Sequence, residues 1–313
     1  MRETDEKKIV LVKRSTRLEE LVKRFNTVMQ AKFYLEHLGA DFSDYLREDE
    51  VYKVALCKAE SVLNRFGRVQ IIDRFFLSNF IFGRNDLVVA IGQDGMVANT
   101  MKYLDNQLLI GVNPDPKRYD GVLLPFVVEN LSSIIPETLR GKRRHQEVTM
   151  AKAQLNDGQT LYAVNDFFIG QKTHVSARYR IHLGQYGEQQ SSSGIIVSTG
   201  LGSTGWLKSV IKGATTISTS FIQRQNVELE SDFKLPWDAD YLYFSVREPF
   251  PSKASQAGMV FGRITPENSL KILSQMPDNG VIFSDGIESD FLSFNSGVEA
   301  EVTVAEKKGK VVV

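Results

Sequence analysis

The chain is poor in the residues that build disulfides and metal cages. Its 313 residues include one cysteine, Cys57, and four histidines. A single cysteine excludes an intrachain disulfide, and so small a stock of thiols and imidazoles argues against a structural zinc site. An excess of charge of one sign is also missing. Lysine plus arginine and aspartate plus glutamate number 38 each, so the net charge is zero. No bulk attraction to nucleic acid or to a membrane surface follows. No apolar run approaches the roughly 18 residues of a spanning helix. The segment Met1 to Lys8 is charged rather than apolar, which argues against a secretory signal. There is no low-complexity tract and no repeat of clear period. The expectation is a cytoplasmic protein with neither nucleic-acid nor membrane partners, its cysteine buried as a small apolar residue in a helix.

What is present is ordinary globular material, 42% hydrophobic and 24% charged, in a chain longer than the roughly 250–300 residues one core usually serves. Two domains are therefore expected, 1–127 and 128–313. In the first, apolar runs at Ile9 to Val12, Val69 to Ile72, Leu87 to Ile91 and Leu108 to Val112 read as buried strands. They alternate with helical periodicity over Arg17 to Leu38, Asp49 to Arg65 and Val97 to Leu104. Strands alternating with helices predict a mainly parallel, Rossmann-like α/β sheet. In the second, eight stretches favour strands, from Glu147 to Leu155 through Val298 to Val304, and several alternate apolar with polar residues. That pattern predicts an antiparallel, β-sandwich-like domain.

Five segments carry candidate chemistry. The strand Leu87 to Ile91 runs into Gly92-Gln93-Asp94-Gly95 ahead of a helix. Glycines let backbone approach a phosphate, helix-start amides attract anions, and Asp94 can accept a hydroxyl proton. The next strand ends in Asn113-Pro114-Asp115, on the same sheet edge. Asn165-Asp166 interrupts a strand of the second domain. Ser198 to Trp206 interleaves Gly200, Gly202 and Gly205 with four hydroxyl residues, among them Ser203 and Thr204, and ends on Trp206. Phe283-Ser284-Asp285-Gly286 is an Asp-Gly turn after a strand. Taken singly, each also reads as an ordinary turn, hairpin or connector. The basic run Arg140 to His145 has no interleaved aromatics and reads as a solvated turn.

In chain order these segments resemble the NAD kinase family over about Lys8 to Val304. Gly92-Gln93-Asp94-Gly95-Met96 stands where that family has Gly-Gly-Asp-Gly-Thr. Ile110 to Asn113 is similar to its following strand, and Asn165-Asp166 to its Asn-Glu pair. Leu201-Gly202-Ser203-Thr204-Gly205-Trp206 is similar to its Thr-Gly-Ser-Thr/Lys-Ala-Tyr/Trp loop, and Asp285-Gly286 to its late Asp-Gly. Pro114-Asp115-Pro116 and Phe294 to Gly297 look like the organellar branch.

The resemblance implies ATP-dependent phosphorylation of the adenosine ribose 2′-hydroxyl of NAD, with Mg2+ on the phosphates, in a homo-oligomer. By similarity, Asp94 is the catalytic proton acceptor. Gly92, Gln93, Gly95, Asn113, Ser203 and Thr204 serve phosphate or nucleotide. Asn165, Asp166, Gly202, Trp206 and Asp285 serve the acceptor substrate. No protein metal ligand is implied. Gln93 departs from a family glycine; it is expected to crowd the phosphate, or to cost about 1–2 kcal/mol if the turn is left-handed there. Met96 replaces a hydroxyl, Asp166 is one methylene shorter than Glu, and Gly205 widens the pocket wall. These departures leave two alternatives, a nucleotide-sensing protein without turnover and a kinase for a lipid or sugar hydroxyl.

Overall fold

In a computed structural model that describes residues 7–222 and 234–313, the chain folds into two compact units. One comprises residues up to Gln146 together with Lys310–Val313, and the other Glu147–Gly309. The join falls later than the expected 127/128. The reason is helix α5 (Leu131–Leu139), whose Leu131, Ile134 and Ile135 are buried with Ile9, Val89 and Ile110 in the first core.

The first unit is a parallel sheet covered by helices. Its strands are β1 (Lys8–Lys13), β2 (Arg68–Asp73), β3 (Leu87–Ile91), β4 (Leu108–Asn113) and β5 (Phe126–Val127). They run β2-β1-β3-β4, all parallel, with β5 on the far edge of β4. Every residue of β3 is buried, as a strand with helices on both faces requires. The helices are α1 (Arg17–Phe25), α2 (Val28–His37), α3 (Phe42–Leu63), α4 (Asp94–Met101) and α5. Because successive crossovers go to opposite sides of β1, the order reverses between β1 and β3. In open α/β sheets the carboxyl ends at such a reversal form the crevice that takes ligands.

Two readings of the sequence change here. The helix expected over Arg17 to Leu38 is two helices. Asn26 takes φ of 65°, where a helix cannot continue, and Thr27 then caps α2 by accepting the Gln30 amide. Cys57 is exposed. The buried stripe of α3 is Tyr52, Ala55, Ala59 and Leu63, and Cys57 lies off that 3.6-residue period.

The second unit is a sandwich of two antiparallel layers. One layer runs β10 (Tyr186–Ser192), β9 (Ala177–Leu183), β14 (Leu270–Ser274), β17 (Glu299–Val312), β6 (His145–Leu155), β7 (Thr160–Ala163). The other runs β13 (Phe261–Ile264), β12 (Leu242–Val246), β11 (Ile195–Ser198), β8 (Asp166–Gln171), β15 (Gly280–Ser284), β16 (Ile287–Ser293). Phe167, Ile169, Val197, Phe244 and Ile282 of the second layer meet Tyr179, Ile181, Ile272 and Val302 of the first in one core. Burying each such side chain contributes about 1.5–3 kcal/mol. The last residues of β17, Lys310 and Val311, pair in parallel with Leu108 and Leu109 of β4 and so belong to the first unit. Helix α6 (Trp206–Ile222) follows β11. The architecture is thus a Rossmann-like α/β domain followed by a β-sandwich.

Candidate functional site

The carboxyl edge of the parallel sheet brings together Arg14, Gly92, Asp94 and Asn113. Gly92 follows the buried β3 and donates its amide to Val112 O at 3.1 Å. A Cβ on Gly92 would stand 2.6 Å from Met96 Sδ and 3.7 Å from Arg14 Cδ. The glycine thus leaves room for the Met96 thioether and has no special dihedral. Gln93 is the N-cap of α4 with φ of −109° and no side-chain cap bond, and its side chain is exposed. The strain expected of it is absent, because any residue adopts that conformation. Met96 is 3% exposed and packs inward, so its thioether fills core space beside Gly92. Gly95 has open space where a Cβ would go.

Asp94 opens α4 and is half-buried. Its Oδ1 accepts the Leu123 amide at 2.6 Å. That amide belongs to a loop, 114–125, folded onto the sheet edge. Asn113 Nδ2 donates to Tyr119 O at 2.9 Å, and its Oδ1 accepts the Asp115 amide at 3.0 Å. Asn113 is thus occupied in shaping this loop. A Cβ on Gly111 would fall 1.9 Å from Leu123 O, which shows how closely the loop lies on β4.

An ion-pair lattice fixes the same edge. Arg14, 5% exposed, donates from Nη2 to Glu48 Oε1 at 2.7 Å and to Tyr119 Oη at 3.1 Å. Tyr52 Oη accepts the Arg14 amide at 2.9 Å and donates to Ile91 O at 3.0 Å, tying β1, α3 and β3 together. Arg17 bonds Glu48 and Asp44, and Arg118 bonds Asp44 from the loop. Hydrogen bonds from Arg118 and Arg17 hold the Asp44 carboxyl well below the usual carboxylate range. Burial alone would raise the Glu48 carboxyl; the bonds from Arg17 and Arg14 outweigh it and lower it. None of these residues stands out in the sequence, since their pairing spans distant segments.

In the sandwich, Val164-Asn165 is the turn between β7 and β8, and Asp166 opens β8. The carboxylate of Asp285 accepts three successive amides there: Val164 at 3.1 and 3.0 Å, Asn165 at 2.6 Å and Asp166 at 3.3 Å. The Asp285 carboxylate therefore serves the backbone of the turn. Thr199 Oγ1 donates to Val164 O at 2.6 Å, and its amide donates to Asn165 O at 3.0 Å. A Cβ on Gly202 would fall 2.0 Å from Asn165 O, so Gly202 is where the loop after β11 lies against the turn.

Ser203 is held by backbone. It is fully buried, its hydroxyl donating to Gly200 O at 2.7 Å and accepting the Leu235 amide at 3.1 Å. Both capacities are spent on backbone. Thr204, Gly205 and Trp206 are exposed.

Asp166 and Trp206 do share a cavity of about 500 Å³, together with Phe168, Phe283, Lys172 and Arg247. Phe168 stacks on Trp206 with centroids 5.9 Å apart and on Phe283 at 6.3 Å. Arg247 lies over Trp206 at 5.5 Å. Gly170 and Gly194 make room for the flat Phe168 ring, since a Cβ on either would lie within 2.9 Å of it. Burial, and then repulsion from Asp285, push the Asp166 carboxyl up to about 7. Phe168, Phe283, Lys172 and Arg247 are absent from the sequence-based set. A signal was available in the alternation of β8, where Phe167 points into the core and Phe168 out of it.

Among the described residues no group of three or more His, Cys, Asp or Glu side chains is placed to hold a metal ion. No helix among them is long and apolar enough to cross a membrane. No family model and no curated protein matches the sequence. Among solved structures, the crystal structure of yeast NADH kinase complexed with NADH is similar to this chain with a TM-score of 0.59. The match covers 99% of this chain and 84% of that one at 13% identity. At that identity the likeness is one of fold: the two-domain NAD kinase architecture.

Proposed function

We propose that the chain is an NAD kinase-like phosphotransferase that moves the γ-phosphoryl group of ATP to the adenosine ribose 2′-hydroxyl of NAD or NADH. The observation that carries this reading is the Asp94 carboxylate, half-exposed at the sheet reversal. One of its oxygens is fixed by the Leu123 amide, and the other is left for a hydroxyl proton. As the 2′-oxygen attacks the γ-phosphorus, its proton passes to Asp94. The bond from the γ-phosphorus to the β-bridging oxygen breaks, and ADP leaves. Such transfers rest on positioning and on charge stabilisation rather than covalent chemistry. Gly92 and the start of α4 face the phosphates in this reading, and the sandwich cavity lined by Asp166 and Trp206 is taken as a surface for the dinucleotide acceptor.

Magnesium would need no protein cage here, because nucleotide phosphates can supply its oxygens with water completing the shell; it would offset charge on the transferred group. NADH is a natural acceptor to test beside NAD, since the yeast enzyme of this fold was crystallised with it.

The test is turnover of purified protein with ATP, magnesium and either NAD or NADH, beside Asp94→Ala. Phosphorylated dinucleotide from the unaltered protein and a loss of roughly 100-fold or more in the variant are expected. Equal product from both removes Asp94 from the mechanism, and no product from either rejects the activity. The resemblance further predicts a homo-oligomer, which light scattering reads directly.

A further inference from the structure

Asp285 and Gly286 close the hairpin between β15 and β16 with φ of 54° and 69°. A side chain in that left-handed region costs about 1 kcal/mol relative to glycine. The turn must therefore gain something from the aspartate that glycine could not give. The gain is visible in the segment opposite. Val164 and Asn165 lie between the paired stretches of β7 and β8, where no ladder hydrogen bonds hold them. Their amides, and that of Asp166, all point at the Asp285 carboxylate. The return bond runs from the Asp285 amide to Asp166 O at 3.0 Å. One side chain thus orders both the amide side of the turn and the entry to β8.

We infer that Asp285 is the positioning residue of the sandwich cavity: by gathering three successive amides it holds the Asp166 side chain on the cavity wall, and it makes no contact with ligand itself. The inference rests on the reading of that cavity as part of the acceptor site. It differs from a direct substrate contact because the oxygens are directed at backbone.

Charge follows from the same geometry. The groups sharing the cavity with Asp166 are Lys172, Arg247, His174, Glu248 and Glu288, and Asp285 stands behind it. Desolvation and the Asp285 charge both favour the protonated Asp166 carboxyl, which sits near 7 and can donate a hydrogen bond where an ionised one only accepts.

The experiment is carboxyl NMR of the aspartate-labelled full chain, with NADH binding followed by its fluorescence, in the unaltered protein and Asp285→Asn. The variant keeps the shape and removes the charge. The Asp166 midpoint is expected to fall by roughly a unit, and NADH affinity to weaken about tenfold. A folded variant with unchanged NADH affinity overturns the inference, whether or not the midpoint moves, because charge alone would explain a shift.

If the unaltered protein binds no NADH, the proposed function falls, and the inference is judged on hydrogen exchange at Val164, Asn165 and Asp166. Exchange at least 100-fold faster in Asp285→Asn supports it, and unchanged exchange overturns it. Should that variant not fold, the unaltered protein still decides. Protected amides at these three positions support the role, and exchange at the rate of an unstructured peptide overturns it.

Discussion

Two Asp-Gly pairs, one in each unit, follow a buried strand and look alike in sequence, yet the fold uses them in opposite ways. Asp94-Gly95 opens a helix with ordinary dihedrals, and its carboxylate accepts one amide while remaining half-exposed. Asp285-Gly286 turns a hairpin in the left-handed region, and its carboxylate accepts three amides. The difference comes from what each unit leaves unsatisfied. A parallel sheet feeding a helix presents free amides at the helix start, which a ligand can take. An antiparallel sandwich with an unpaired turn presents buried amides that the protein itself must take. A free carboxylate is available for chemistry, whereas a bonded one supports structure.

Substitutions at the two positions should therefore separate activity from stability. Asp94→Ala is expected to cost roughly 100-fold or more in turnover and only about 1–2 kcal/mol in stability, from one lost amide bond and a weakened helix start. Asp285→Ala is expected to destabilise by about 2–4 kcal/mol, since it strands several part-buried amides. Denaturant unfolding beside a turnover assay checks both. If the two variants lose stability equally, the contrast between the turns collapses.

The next largest effect belongs to the loop after β11. Gly202→Ala puts a methyl 2.0 Å from Asn165 O. Backbone on both sides gives way poorly, so a loss of about 1–3 kcal/mol is expected. Gly95→Ala, with open space around it, is the control and should change stability by less than about 0.5 kcal/mol. Thermal unfolding distinguishes them, and equal midpoints would mean the loop moves aside.

How much of this was open to sequence reading differs by unit. β3, β9 and β11 have the bounds their apolar and alternating patterns predict, because burial on one or both faces writes the period directly into the chain. The Rossmann-like and sandwich classes follow from the same signal. Strands β10 and β16 escape it, since Tyr186 to Ser192 and Ile287 to Ser293 are largely polar and are fixed by pairing with neighbours. The single strand expected from Thr160 to Phe168 splits at Val164-Asn165 for a reason far away in the chain, the Asp285 carboxylate. At the site, Gly92 and Asp94 announce themselves by a strand-glycine-helix pattern. Ser203 is ambiguous in sequence, because a hydroxyl in a glycine-rich loop looks the same whether it meets ligand or backbone. The Arg14, Glu48 and Tyr119 lattice is invisible without the fold that assembles it.

Asp166 sharpens the comparison through pH. Its carboxyl moves from 3.8 to about 7 on folding. As pH rises between those values the unfolded chain releases this proton first, so folded stability falls across the window and levels above it. Asp166→Asn removes that dependence. It should leave stability near pH 4 almost unchanged and raise the unfolding midpoint at pH 8, by about 2–4 °C for each kcal/mol of the ionisation cost removed. A variant less stable than the unaltered protein at pH 8 would show that the ionised carboxyl is compensated in the cavity.

The smallest effect probes the helix start beside Asp94. Gln93 caps α4 without a side-chain bond, and while the Met96 amide turns back to Gln93 O at 2.9 Å, the Asp94 and Gly95 amides keep their capacity for an outside acceptor. Gln93→Ser supplies that acceptor from within and should stabilise by about 0.5–1 kcal/mol. If a nucleotide phosphate is the natural partner of those amides, the same hydroxyl competes with it, and ATP affinity should fall as stability rises. Calorimetric binding of ATP and thermal unfolding on one preparation read the two signs together. Opposite signs mean cap and phosphate share a place. A rise in stability with ATP affinity untouched would put the phosphates elsewhere on the sheet edge, and Asp94 would then lose its proposed neighbour.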